Sequence, residues 1–316
     1  MSLSLRNSKV VPALAAAGLA LGITACGGDD GNAVSDAEGG GVGQRISVVA
    51  TTMQLQDFAR QVGRDRVEVT GILGPDNEPH EYEPTPSDAE ALADADVVLE
   101  NGANLDEWLD DLLSNAGSQA QRVTAVEGIE LLPTEEEGFP GDPHVWHDPE
   151  AAKTMVDNVA AGLAAADPEG RATYEKSASA YKAELDAMAA DIRDAFEPIP
   201  PEQRDLITTH DAFGYFVRAY DVQQVGTVLP ALTTESEPSG RQIRELVQEI
   251  RAQDVDVIFT EEAVDAGLER QIADEAGAEV STSLYADVLG APDSGAETFI
   301  EAELANARAM AAAWQS

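Results

Sequence analysis

Short apolar runs alternate with longer amphipathic stretches from residue 46 onward. β-Branched runs at Ile46–Thr52, Val67–Leu73 and Asp96–Glu100 predict strands, and a helix-like stretch follows each of them. The last of these stretches predicts a helix over Leu105–Leu113. Strands and helices that alternate in this way favour a parallel sheet with helices on both faces.

The same alternation returns after residue 200. We expect strands over residues 205–209, 222–229, 255–260 and 278–282, and helices over residues 212–220, 238–252, 267–276 and 297–314. Two separate alternating regions predict an α/β protein with two lobes, each a parallel sheet flanked by helices.

An alanine-rich, charged section separates the two regions. It predicts helices over residues 152–165 and 169–195, divided by Asp167 and Pro168, which suit a helix cap and a first helical residue. The second helix would be about 40 Å long, enough to join the lobes. We therefore expect an N-terminal lobe at 46–168, a linking helix at 169–196 and a C-terminal lobe at 197–316.

The N-terminus has the features of an export signal. Arg6 and Lys9 precede an uncharged apolar run that ends before Cys26, the only cysteine of the chain. The sequence Ile23–Cys26 resembles the bacterial lipoprotein cleavage box, which implies cleavage after residue 25 and lipid chains on Cys26. Glycine-rich residues 26–45 then predict a flexible tether that would hold the protein at the outer face of the cell membrane, or in the periplasm.

The charge of the chain narrows its partners. The formal net charge is -40, and only four residues are lysine. Nucleic acid and anionic membrane surfaces are poor partners for such a chain because both carry negative charge. This charge is typical of a soluble domain with a solvated acidic surface, which attracts divalent cations.

All four histidines lie in polar, turn-rich segments that leave strands or βα units. His80 follows the strand that ends at Leu73, His144 and His147 share one proline-bracketed loop, and His210 directly follows the strand 205–209. Ligands of open α/β sheets collect outside the carboxyl ends of the strands, and neutral imidazole is the commonest metal ligand in proteins. The histidines therefore predict a metal site that several segments close together.

A fourth ligand would be an oxygen. Zinc favours four ligands in a tetrahedron, and an added carboxylate would reduce the charge of the occupied site. Glu261, Glu262 and Asp287 all lie where predicted strands end. The spacing alone leaves the choice among these three open.

Four segments resemble the metal-binding solute-binding proteins of zinc and manganese ABC transporters. The resemblance covers about residues 46–314 and is carried by residues 78–88 (EPHEYEPTPSD), 142–146 (DPHVW), 210–216 (HDAFGYF) and the acidic segment that ends at Asp287. It implies that His80, His144, His210 and Asp287 bind the metal between two lobes. It also implies that helix 169–195 is a rigid inter-lobe backbone.

The resemblance also bears on the choice of metal. Members that look manganese-specific often have glutamate in place of His210, and a third imidazole shifts preference towards zinc, so zinc is favoured over manganese. The chain departs from many zinc-type members because residues 134–142 contain no histidine, which puts a role of that loop in metal capture in doubt. His147 often corresponds to leucine, so we expect it beside the site or at the surface and not as a ligand.

The resemblance implies a monomeric extracytoplasmic receptor that passes its ion to an ABC permease and its ATPase, and not an enzyme. Two other functions remain as alternatives. A metallohydrolase would use His144 and His147 as a pair with a glutamate as base, although the sequence has no His-Glu-x-x-His segment. A surface adhesin would be compatible with the same metal site.

Overall fold

A four-stranded parallel sheet forms the base of the first lobe. The computed structural model describes residues 45–315, and its first strands are β1 (Ile46–Ala50), β2 (Val67–Gly71), β3 (Val97–Glu100) and β4 (Gln121–Thr124). Their order across the sheet is β2-β1-β3-β4, and every neighbouring pair is parallel. The predicted parallel α/β arrangement is confirmed here.

Both faces of this sheet are covered because successive strand residues point to opposite sides. Val48 and Ala50 lie in one apolar cluster, whereas Val49 between them lies in a second cluster on the other face. The covering helices are α1 (Met53–Gly63), α2 (Pro86–Ala93), α3 (Leu109–Ala116) and α4 (Pro149–Ala166). Thr52 caps α1, since its hydroxyl oxygen accepts the backbone N–H of Leu55.

The second lobe contains two short parallel strand pairs. Its strands are β5 (Asp205–Thr208), β6 (Gln223–Thr227), β7 (Val257–Ile258) and β8 (Glu279–Val280), and its helices are α6 (Gly214–Tyr220), α7 (Gly240–Gln253) and α8 (Gly267–Ala276). β5 pairs with β6 and β7 with β8. The backbone N–H of Phe259 donates to the carbonyl of Ile207 over 2.9 Å, which connects the two pairs.

The linking helix α5 (Arg171–Phe196) packs against α1, α4 and the last helix, α9 (Phe299–Trp314). One carboxylate joins three of these helices. Asp57 of α1 accepts the hydroxyl of Tyr181 over 2.9 Å and the backbone N–H of Phe299 over 3.1 Å. A continuous core therefore runs from the first sheet along α5 to α9.

Some elements differ from the expected bounds. The helix expected from Leu105 begins only at Leu109, and residues 103–108 form turns in which Ala103 and Asn104 have left-handed φ values of 53° and 67°. The helix expected from residue 212 begins at Gly214, and the N–H of Asp211 before it donates to the carbonyl of Ala231. The strands expected over residues 255–260 and 278–282 keep only two ladder residues each.

The predicted signal segment, Cys26 and most of the tether lie outside the described residues. Within residues 45–315, none of the helices combines the length and the apolar character that a bilayer crossing requires. The boundaries at residues 168 and 197 stay predictions, since residues 45–315 belong to one compact unit.

Candidate metal centre

Four loops bring the predicted ligands together. His80 lies between β2 and α2, and His210 directly follows β5. His144 precedes a short 3₁₀ turn, Val145–His147, at the start of α4, and Asp287 lies between β8 and α9. One potential ligand atom from each of the four lies within 4.8 Å of the other three.

Asp287 lies close to all three imidazoles. Its Oδ2 is 3.1 Å from Nε2 of His210 and 3.8 Å from Nε2 of His80, and its Oδ1 is 3.4 Å from Nε2 of His144. Nε2 of His80 lies 3.3 Å from Nε2 of His144. The three Nε2 atoms and the Asp287 carboxylate thus surround one small volume. Of the other two acidic candidates, Glu261 contacts the outer nitrogen of His210 and Glu262 is exposed.

The cluster is shielded from water. The side chains of His144 and His210 are 0% exposed, that of His80 is 2% and that of Asp287 is 6%. Nε2 of His210 and Oδ1 of Asp287 are buried without a hydrogen-bond partner. Because unpartnered buried polar atoms are costly, these two atoms call for a ligand between them.

Carboxylates hold the outer nitrogens of two histidines. Nδ1 of His144 lies 2.8 Å from Oδ1 of Asp142, and Nδ1 of His210 lies 2.5 Å from Oε2 of Glu261. A carboxylate at Nδ1 keeps the proton there and leaves the Nε2 lone pair directed at the centre. From the sequence, Glu261 was a candidate only as a ligand and Asp142 had no assigned role, although the Asp-Pro-His spacing was a usable signal for Asp142.

The ionisation of the cluster is strongly perturbed. Burial lowers the pKa of His80 to about 3. Burial also opposes a charge on His210, but Glu261 and Asp287 outweigh it and hold the pKa of His210 well above its ordinary value. For Asp287 burial alone would raise the pKa, yet the imidazoles, above all His210, hold it well below its usual range. The carboxylates of Glu261 and Asp287 thus both favour the protonated form of His210.

The loop that carries Asp287 is held by the first lobe as well as by α9. The side-chain amide of Gln54 in α1 donates to the Asp287 carbonyl over 3.1 Å, and the indole N–H of Trp146 donates to the Ala286 carbonyl over 3.1 Å. Asn306 of α9 donates to the carbonyl of Tyr285 and accepts its backbone N–H. Three elements thus fix the position of one carboxylate, and sequence patterns gave no signal for them.

His147 lies outside the group of four. Its ring is buried, stacks on Phe213 at a centroid distance of 4.6 Å, and places Nδ1 2.8 Å from Oε1 of Glu303. A surface position, one of the two that we expected, is therefore wrong. The metallohydrolase alternative requires His144 and His147 to bind one metal together. The structure argues against this pairing because His147 does not belong to the ligand group that contains His144.

Such a set of groups can bind one divalent cation. Three nitrogens and one carboxylate match the ligand number and type of a closed tetrahedral zinc site, and a second oxygen of Asp287 could add a fifth bond. The oxygen-rich octahedral environment that suits magnesium is not what these four residues provide.

The comparison with known proteins decides the family. Residues 48–313 match the family described as ZnuA, zinc-uptake complex component A, periplasmic. The chain belongs to this family. Its members are metal-binding, substrate-binding proteins of ABC transporters, which are transport proteins and not enzymes.

Curated relatives cover most of the chain. The manganese-binding lipoprotein MntA of Halalkalibacterium halodurans is 33% identical over 284 residues, which cover 90% of this chain and 91% of the relative. The iron-binding protein YfeA of Yersinia pestis is 31% identical over 259 residues, which cover 81% of this chain and 82% of the relative. The names of these two relatives give two different metals.

Solved structures share the fold. The periplasmic zinc-binding protein TroA from Treponema pallidum superposes with a TM-score of 0.79 at 27% identity, covering 85% of this chain and 99% of that chain. A crystal structure of ZnuA gives a TM-score of 0.76 at 26% identity, covering 86% of this chain and 100% of that chain. The predicted two-lobe α/β fold is confirmed.

Proposed function

We propose that His80, His144, His210 and Asp287 bind one divalent transition-metal ion outside the cytoplasm and that the protein delivers it to an ABC permease and its ATPase. The observation that carries this proposal is the convergence of four buried ligand atoms within 4.8 Å. The unpartnered Nε2 of His210 and Oδ1 of Asp287 support it, since a bound cation would satisfy both.

The ligand set favours zinc over manganese. Imidazole nitrogens suit zinc, copper and nickel, whereas manganese prefers oxygen ligands, and His210 adds a third imidazole. A relative named for manganese keeps manganese as the alternative. Metal analysis of protein purified without added metal, followed by competition between zinc and manganese, tests this preference. If the protein kept manganese in the presence of an equal concentration of zinc, the preference for zinc would be contradicted.

Calorimetric titration of single variants tests the ligands. We expect His210→Ala and Asp287→Ala to weaken zinc binding by at least about tenfold, as loss of groups around a metal does. His147→Phe is the matched control, since that imidazole lies outside the group of four. Undiminished zinc affinity of the His210→Ala protein would refute the ligand assignment.

Anchoring is a further part of the proposal. Lipid chains on Cys26 and the tether at residues 26–45 would keep a monomeric receptor at the outer face of the membrane, close to its permease. Cys26→Ser should release the protein from the membrane fraction, and sedimentation should show a single copy.

Adhesion stays a prediction that the same site would permit, and a transport defect without an adhesion defect in a deletion strain would argue against it.

A further inference from the structure

A cavity of about 580 Å³ lies directly outside the candidate metal centre. His80 contributes to its lining, so the cavity reaches the ligand group. Tyr82 and Trp108 form an aromatic part of the wall, with ring centroids 5.2 Å apart. We call this cavity the vestibule.

The remaining wall is strongly acidic. Five carboxylate residues line the vestibule, and its lining within the described chain contains no lysine or arginine. They are Glu107, Asp111, Glu136, Glu137 and Glu235. Four of them are exposed and Glu136 is half-buried, so their charges face water at the mouth of the site.

We propose that the vestibule is the entrance by which a hydrated divalent cation reaches the metal centre, and that its carboxylates steer the ion towards His80. This inference rests on the proposed function. The ion would bind at the ligand group, where Nε2 of His210 and Oδ1 of Asp287 are buried without a hydrogen-bond partner. His80 belongs both to this group and to the lining of the vestibule.

The negative charge of the vestibule would raise the rate at which a cation associates with the protein. Clefts lined by one sign of charge, with walls of low dielectric constant, focus the field and raise association rates by roughly 10-fold to 1000-fold. The aromatic wall of Tyr82 and Trp108 supplies such a surface beside the carboxylates. Exposed charges act over about 10 Å at an ionic strength of 0.1 M, so the local carboxylates outweigh acidic residues on distant faces.

The rim of the vestibule spans both lobes. Oε2 of Glu136, in the segment 134–142, accepts the backbone N–H of Leu232, in the loop after β6, over 2.6 Å. The side-chain amide of Asn104 also donates to the carbonyl of Gly138. Since residues 134–142 contain no histidine, this segment would attract the ion by charge and not by coordination.

Stopped-flow kinetics with zinc and a fluorescent zinc indicator test the proposal. The vestibule variant leaves Glu136 intact because of its bond to Leu232, and it combines Glu107→Gln, Asp111→Asn and Glu235→Gln. If this triple variant does not fold, Glu235→Gln alone replaces it.

A control variant removes the same number of charges from residues outside the vestibule lining. It changes three exposed carboxylates of α5, and the substitutions are Glu184→Gln, Asp191→Asn and Asp194→Asn. Because both triple variants change the net charge equally, a difference between them reports on the position of the charges and not on their number.

At about 20 mM salt, we expect the vestibule variant to bind zinc about tenfold more slowly than the control, with an unchanged dissociation rate. At about 500 mM salt the difference should vanish. Equal slowing of both variants, or no slowing of either, would overturn the inference. If the unaltered protein binds neither zinc nor manganese, the proposed function fails instead, so the two failures are distinguishable.

Discussion

The side-chain amide of Gln54 donates a hydrogen bond to the backbone carbonyl of Asp287 across 233 positions of sequence. Gln54 lies near the start of α1 and is 1% exposed, so the bond is shielded from water. It ties the loop of Asp287, which supplies the carboxylate of the candidate metal centre, to the first lobe. Precise placement of this carboxylate should therefore depend on a residue that lies outside the ligand group.

Gln54→Leu should weaken zinc binding by about 10-fold to 100-fold, the range found when groups that orient metal ligands are removed. The fold should survive, since leucine fits a buried helix position. Calorimetric titration measures the effect. Gln61→Leu on the same helix is the control, because its amide bonds to Asp57 and not to the Asp287 loop. Equal losses in both variants would indicate a general effect on α1.

Zinc binding at pH 7 should release about one proton per ion, because a metal must displace the proton that His210 carries. The pKa of His210 is raised by Glu261 and Asp287 despite its burial, whereas burial lowers that of His80 to about 3. The apparent affinity should fall about tenfold for each unit of decreasing pH in the neutral range. Calorimetry in two buffers with different ionisation enthalpies counts the protons, and release of none would contradict the assignment.

The same raised pKa bears on the stability of the metal-free protein. A folded-state pKa above the unfolded value means that the charged His210 stabilises the fold fully below about pH 6.5. This contribution should disappear as the pH rises through the folded-state pKa. Urea unfolding with a chelator present, as a function of pH, measures it.

Glu261→Gln should weaken zinc binding by about 10-fold to 100-fold and reduce the proton release at pH 7. The reason is that the Glu261 carboxylate lies 2.5 Å from Nδ1 of His210 and helps to raise its pKa. Glu262→Gln is a matched control, since the next residue is exposed. A larger loss of affinity in the Glu262 variant would reverse the roles that we give to these neighbours.

Much of the fold, and the grouping of His80, His144 and His210 with an acidic residue, was predictable from local patterns. The period of apolar residues located most strands and helices, and the position of His80 and His210 after strands indicated the site. The spacing did not predict that Asp287, and not Glu261, lies among the three Nε2 atoms. This arrangement depends on β7 lying beside β5, which places Glu261 against the outer nitrogen of His210, and on the bonds from Gln54 and Trp146 to the Asp287 loop.

The environment of His147 was also not predictable from the sequence. It is set by Glu303, 156 positions away, and by Phe213. His147→Phe keeps a ring against Phe213 but leaves the buried Glu303 carboxylate without this partner. We expect a loss of about 1–3 kcal/mol in the free energy of unfolding, the cost of an unsatisfied buried polar group. The double variant with Glu303→Leu should recover most of it, since both partners are then apolar.

Urea unfolding of the metal-free proteins measures the free energies of unfolding of the unaltered protein, the single variant and the double variant. Zinc titration then tests whether His147 is a metal ligand or a structural residue. Since His147 lies outside the group of four, both variants should bind one zinc ion with affinity near that of the unaltered protein. A stable His147→Phe protein that binds no zinc would instead make this imidazole a ligand. Loss of stability with binding retained would establish that the pair of His147 and Glu303 stabilises the core.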